Sequence, residues 1–158
     1  MTLPQIDPRG PRFTAAVTTL VLAAVLLLAP SPVATALLAL QTALFAIGAA
    51  RGVQHTPLAW VFRRAIRPRL APPEHLEDAA PPRFAQGVGL LFGVVGLAGY
   101  LLGAPVVGAV ATGFALAAAL LNSAFGFCLG CEVYLLLRRL APQITLNEKS
   151  NTKEEVTA

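Results

Sequence analysis

Two thiols lie three residues apart in Cys128-Leu129-Gly130-Cys131, and they are the only cysteines in the chain of 158 residues. At this spacing two sulfurs can close a small disulfide ring with little backbone movement, or hold one edge of a metal site. In a redox role the pair cycles between dithiol and disulfide with a soluble partner, by thiolate attack through a mixed disulfide. A persulfide carrier is a variant in which one thiol accepts sulfane sulfur. A metal role needs further ligands, and His55 and His75 are the only histidines. A set of Cys128, Cys131, His55 and His75 follows no zinc-finger spacing. In a third reading the cysteines are small apolar packing residues, as free cysteines often are. The glycine-spaced run from Phe125 to Cys131 favours a defined geometry over filler. By analogy with other Cys-x-x-Cys pairs, Cys128 is the expected attacking thiol and Cys131 the resolving one. A short helix starting near Cys131 would offer amides that favour a thiolate, while Glu132 would oppose it.

Other polar residues with a claim on the pair are few. Asn122 lies about two turns before Cys128 and is placed to shape the thiol pocket. Gln41, like Thr112 and Ser123, falls inside an apolar run, where such groups bond across helices. His55 falls close to the position that matches Cys128 under the repeat described below. The sequence holds no P-loop, no Gly-x-Ser-x-Gly, no His-Glu-x-x-His and no dinucleotide fingerprint. Hydrolase, kinase and dehydrogenase chemistry therefore has no motif to stand on, and no cofactor is expected.

The elements that position these residues are read from composition. The chain is 56% hydrophobic and 13% charged, against about 25% charged in an average soluble domain. Residues 13–50 and 84–131 contain no charged side chain. Each run is too long for one crossing of a hydrocarbon core about 30 Å thick, which takes about 20 helical residues. Pro30-Ser31-Pro32 divides the first and Gly103-Ala104-Pro105 the second, since Pro suits the first turn of a helix and not its interior. The expected fold is all-α: an integral membrane bundle of four transmembrane helices, over about 13–29, 33–50, 84–102 and 106–126. Residues 1–142 form this transmembrane domain, with a cytoplasmic loop over 51–83 and a polar cytoplasmic tail over 143–158. Arg9 and Arg12 before an apolar run resemble a signal peptide, but no small-x-small cleavage site with a soluble domain follows, so the first helix is expected to stay.

Charge sets the orientation. The net charge is +4, and every Lys and Arg precedes helix 1, lies between helices 2 and 3, or follows helix 4. The turns at 30–32 and 103–105 have none. The positive-inside rule then puts both chain ends in the cytoplasm, in a multi-pass protein of the cell membrane. The basic residues face the anionic leaflet of the lipid bilayer, and no nucleic-acid motif accompanies them. No charge lies within a helix, which argues against proton relays, ion-coupled pumps and voltage sensors. Asp7-Pro8-Arg9 with Arg12 can form an ion-paired turn at the mouth of helix 1.

The chain also repeats itself. Pro11-Arg12-Phe13 opens helix 1 and Pro82-Arg83-Phe84 opens helix 3; Pro32-Val33 opens helix 2 and Pro105-Val106 opens helix 4. After helix 2 comes a short segment ending in Arg63-Arg64, and after helix 4 one ending in Arg138-Arg139, both expected in the membrane interface with Trp60 and Tyr134 at headgroup level. Both halves start on the same side, so the repeat is parallel, about an axis along the membrane normal. Helix 3 carries small-xxx-small spacings at 89–93 and 99–103, which allow close packing within the chain or in a homodimer.

These residues together resemble a family. The stretches Ile6-Asp7-Pro8-Arg9-Gly10-Pro11-Arg12-Phe13, Gln41-x-x-x-Phe45-x-x-Gly48, Pro81-Pro82-Arg83-Phe84 and Gly126-Phe127-Cys128-Leu129-Gly130-Cys131-Glu132-x-Tyr134 are similar to the domain-of-unknown-function family 4395. That family comprises small four-helix bacterial membrane proteins, common in actinobacteria. The resemblance implies an association with thioredoxin-like or sulfurtransferase-like proteins as soluble partners, a warrant by association alone. Beside thiol redox or sulfur handling stand two alternatives: a non-catalytic membrane anchor or assembly protein, and a passage for a small sulfur species.

Overall fold

The computed structural model describes residues 5–73 and 75–140. Four long helices dominate: α1 (Arg9–Leu28), α2 (Pro32–Arg51), α4 (Ala80–Leu101) and α5 (Pro105–Phe125). All four are long and apolar enough to cross a membrane, so the chain is a multi-pass membrane protein of all-α class. Between α2 and α4 lies the short helix α3 (Pro57–Val61), which runs on into a π-helical turn at Phe62–Ile66 and a 3-10 turn at Arg67–Arg69. After α5 the chain is helical again over 129–140, here called α6. Two short strands, β1 (Gln5–Ile6) and β2 (Glu77–Asp78), pair antiparallel just before α1 and α4, with Gln5 opposite Asp78 and Ile6 opposite Glu77. The tail from Gln143 lies outside the described residues.

Helix starts follow local chemistry. Pro32 and Pro105 open α2 and α5, where a missing amide hydrogen costs nothing. The Ser31 hydroxyl accepts the Ala34 amide at 3.2 Å and so caps α2. Gly52 and Gly126 end α2 and α5 at φ +93° and +70°, a region that a side chain disfavours. The helices α1 and α4 begin four residues before the expected spans, at Arg9 and Ala80 instead of 13 and 84. Charges bound the membrane-embedded part of a helix, not the helix, which continues into the polar flank.

The helices form a ring in which α2 lies along α4 and α1 along α5, while α1–α2 and α4–α5 are the two hairpins. Leu22, Val25, Ala34, Leu38 and Ala115 make a buried cluster toward the end that carries the tight turns. Glycines on α4 let the neighbours close in. A Cβ on Gly93 would lie 2.6 Å from the Thr42 Oγ1 of α2, and one on Gly99 would lie 2.5 Å from the Gly108 nitrogen of α5. The 89–93 spacing therefore packs α4 onto α2. The 99–103 spacing does not act as a pair: Gly103 has φ +76° and open space around it, because it makes the turn to α5.

The two halves correspond in space as well as in sequence. Arg83, at the start of α4, donates through Nε to the Ala49 carbonyl and through Nη2 to Ala50, both at 2.8 Å, at the end of α2. Arg12, at the start of α1, holds its guanidinium over Gly126 at the end of α5, 3.5 Å from where a Cβ would stand. Each Pro-Arg-Phe arginine thus covers the C-terminus of a helix from the other hairpin, where the helix dipole favours a cation. The aromatic pairs match too: Phe13 meets Phe62 at 5.9 Å and Phe84 meets Tyr134 at 5.7 Å. Every arginine lies at the end opposite the two tight turns. The ion-paired turn expected at Asp7–Arg12 is absent. Asp7 instead accepts the Arg9 amide at 3.0 Å, and Arg9 reaches across to the Ala71 and Pro72 carbonyls.

Candidate functional site

Gly126 ends α5, and its left-handed backbone turns the chain so that α6 starts almost at once. Cys128 stands immediately before the first residue of α6, in the capping position. Its Sγ accepts the Cys131 amide at 3.3 Å, and its carbonyl accepts the Glu132 amide at 3.0 Å, the first turn of the helix. The sulfur thus stands where a serine or aspartate oxygen usually caps. Cys131 occupies the first turn of α6, and the two cysteines are joined as a disulfide with their Cα atoms 5.2 Å apart. Both are half-buried, not sealed from solvent.

The pair is held by one close contact. Gly130, between the cysteines, rests on the first turns of α4, where a Cβ would lie 2.6 Å from the Ala85 Cβ. Any side chain at 130 would lift α6 from α4. One turn further on, Tyr134 packs on Phe84, and Arg138 stands 6.0 Å from the Tyr134 ring, a cation–π distance. In the other half, Arg64 stands 5.8 Å from the Trp60 ring.

The other sequence-nominated residues scatter. Asn122 lies in the last turn of α5, where its carbonyl accepts the Gly126 amide, so it supports the turn through its backbone. Glu132 is exposed on the first turn of α6. Gln41 sits mid-helix on α2, 2% exposed, and donates from Nε2 to the Thr18 Oγ1 of α1 at 3.3 Å. It ties α1 to α2 within the bundle, away from the thiol end. His55 bonds the Arg51 carbonyl through Nδ1 at 2.7 Å. His75 Nε2 lies 3.6 Å from the Glu77 carboxylate. Among the described residues no three His, Cys, Asp or Glu side chains come together, so the four-ligand set of both cysteines and both histidines is not assembled.

Equivalent helix caps sharpen the register of the repeat. By its capping position the residue that matches Cys128 is Thr56, next to His55. Its Oγ1 caps α3 by accepting the Ala59 amide at 3.2 Å, as the Cys128 sulfur caps α6. A 3-10 turn at Val53–His55 adds residues in the first half and shifts the match. Sequence reasoning found the Pro-Arg-Phe repeat but not what its arginines do. Two glycines, Gly52 and Gly126, each following a long apolar run, were the signal that two helix ends there need covering.

Comparison with curated proteins and with solved structures gave no match. A family model does match, over residues 6–139 of the 158, from β1 through the twin arginines of α6. The chain, with its four apolar helices and its thiol pair at the start of α6, belongs to the family described as domain of unknown function DUF4395.

Proposed function

We propose that the chain carries out thiol redox or persulfide chemistry through Cys128 and Cys131, at the cytoplasmic surface of the membrane. The observation that carries this reading is the Cys128 sulfur acting as the cap of α6, with the Cys131 amide aimed at it. Once the disulfide is reduced, that amide and the start of the helix favour a thiolate at Cys128. The corresponding slot in the first half is filled by Thr56 and Ala59, which cap a helix equally well. A thiol pair is therefore not needed to build this turn, which argues against cysteine as mere packing.

Exchange then runs through Cys128. A thiolate of a soluble partner attacks the Cys128 sulfur, the disulfide breaks, and Cys131 leaves as a thiolate. The partner's second thiol attacks its own sulfur in the mixed disulfide, which releases Cys128. The partner ends as a disulfide and the pair as two thiols, so two electrons have moved to the pair. The reverse sequence reduces a partner. In the persulfide variant the Cys128 thiolate takes a single sulfane sulfur from a donor, and Cys131 displaces it as hydrosulfide.

The clustering of all arginines at the thiol end supports a cytoplasmic location for that end, by the positive-inside rule. A redox titration of the detergent-purified protein against dithiol buffers tests the chemistry, with thiol-reactive mass tags as the readout. A single two-electron transition that requires both Cys128 and Cys131 is expected. A pair that stays reduced across the whole range, with Cys→Ser variants indistinguishable from wild type, would end this reading.

A further inference from the structure

We propose that the thiol pair passes its electrons to a lipid-soluble quinone, held in a groove between α2, α4 and α6. The proposal rests on the redox reading above. The groove has a volume of about 540 Å³ and is lined by Ala49 of α2, by Arg83, Phe84, Gly87 and Leu91 of α4, and by Tyr134 of α6. Three features fit it to this occupant. It opens sideways toward lipid, since Leu91 on its wall is 62% exposed on a membrane-spanning helix. Its walls are apolar and aromatic along the span, yet Arg83 and Tyr134 bring a guanidinium and a phenol to the end nearest the membrane surface. Two N–H groups of Arg83 bond the Ala49 and Ala50 carbonyls, which fixes the side chain beside the groove that it lines. A flat ring that carries carbonyl oxygens and trails an isoprenoid chain matches that gradient from polar to apolar.

The third feature is the position of the groove. It is built on the same α4–α6 contact that holds the thiols. Gly130 rests on Ala85 and Tyr134 on Phe84, and Cys131 lies one helical turn before Tyr134. That turn is about 5 Å of helix rise. After exchange with a soluble partner both cysteines are thiols, and Cys131, one turn before Tyr134 of the groove wall, reacts as its thiolate. It adds to the quinone ring, and Cys128 then attacks the Cys131 sulfur. The S–S bond forms as the C–S bond breaks. The quinone leaves as quinol with two electrons from the thiols and two protons. A dithiol is oxidised and a quinone is reduced, with no other reagent.

Gly87 supplies the test. It lines the groove, and a Cβ there meets nothing within 4 Å, so a large side chain fills the groove without displacing the packing. The reduced full-length protein is mixed with a short-chain ubiquinone, and quinol and protein disulfide are both measured. One quinol per disulfide is expected, at a rate that saturates with quinone. In Gly87→Trp the half-saturating concentration rises about tenfold or more, which is at least ~1.4 kcal/mol of binding. The equilibrium with dithiol buffers stays unchanged. Gly113→Trp, on α5 with equally open space, behaves as wild type. Should Gly87→Trp fail to fold, Leu91→Trp on the exposed wall carries the same comparison. A rate linear in quinone and equal in all variants overturns the proposal and leaves an ordinary lipid-chain groove. A pair that equilibrates with dithiol buffers but not with quinone overturns this inference alone. A pair that reacts with neither overturns the redox reading with it.

Discussion

Cys128 has two tasks that can be separated by substitution. As a cap it accepts an amide, and a serine oxygen does that as well or better. As a nucleophile it has no substitute. Cys128→Ser is therefore expected to keep α6 in place while abolishing the disulfide, and Cys128→Ala to cost about 1 kcal/mol in addition. Thermal unfolding in detergent, followed by circular dichroism, distinguishes the two. In the reduced wild type, Cys128 is expected to be alkylated before Cys131, because the capping amide stabilises its thiolate; peptide mass spectrometry after a short iodoacetamide pulse reads the order. Equal labelling would remove the electrostatic part of the argument. The importance of the pair was legible from spacing alone, since two thiols three apart among glycines have few ordinary uses. Its cap was legible only in part: a helix start near Cys131 was expected, but the helix begins two residues earlier, at 129, and only that start brings the Cys131 amide to the Cys128 sulfur.

Among the elements, α4 bears the closest contacts. Its glycines meet Thr42 and Phe45 on α2 and Gly108 on α5, and no neighbour can step aside at Gly99, where the contact is backbone. Gly99→Ala must part α4 from α5 and is expected to cost about 2 kcal/mol, as overpacking does. Gly113→Ala, which faces open space, should cost nothing measurable. Arg83→Ala removes two bonds to exposed carbonyls at the end of α2 and should cost about 1 kcal/mol. The same detergent melts test all three, and an unchanged melt for Gly99→Ala would contradict the packing. The number and placing of the long helices could be read from two uncharged runs, each cut by proline. The partners of each helix could not, since apolar faces on these helices look alike. Only Arg12 and Arg83, fixed at helix starts, mark which ends adjoin.

For the molecule as a whole, charge asymmetry is the strongest regularity. Both tight turns lack Lys and Arg, while the opposite end carries every arginine, Trp60 and the thiols. The expected topology has the turns outside the cell and the thiols inside. A cysteine introduced by Ser31→Cys in a chain lacking Cys128 and Cys131 should react with a membrane-impermeant maleimide on intact cells. One introduced by Arg69→Cys should react only after lysis. The opposite pattern would invert the orientation and place the pair outside. Inside, a permanent structural disulfide would be out of place, and a cycling one would not.

The small ribbon of β1 and β2 carries a last consequence. Gln5 faces Asp78 and Ile6 faces Glu77. A rotation that exchanges the strands sends 5 to 77 and 6 to 78. That is nearly the shift that takes Phe13 to Phe84, and it is the shift that takes Thr56 to Cys128. The pairing has the register of an isologous contact: each strand offers its partner the surface it receives. Contacts of this kind ordinarily join two separate copies of one polypeptide and are lost on dilution. Here the loop after α3 makes the encounter intramolecular, so the pairing holds at any protein concentration. Being one chain also frees the two halves to differ, and the thiols stand on one side only, with Thr56 and Ala59 capping the helix on the other.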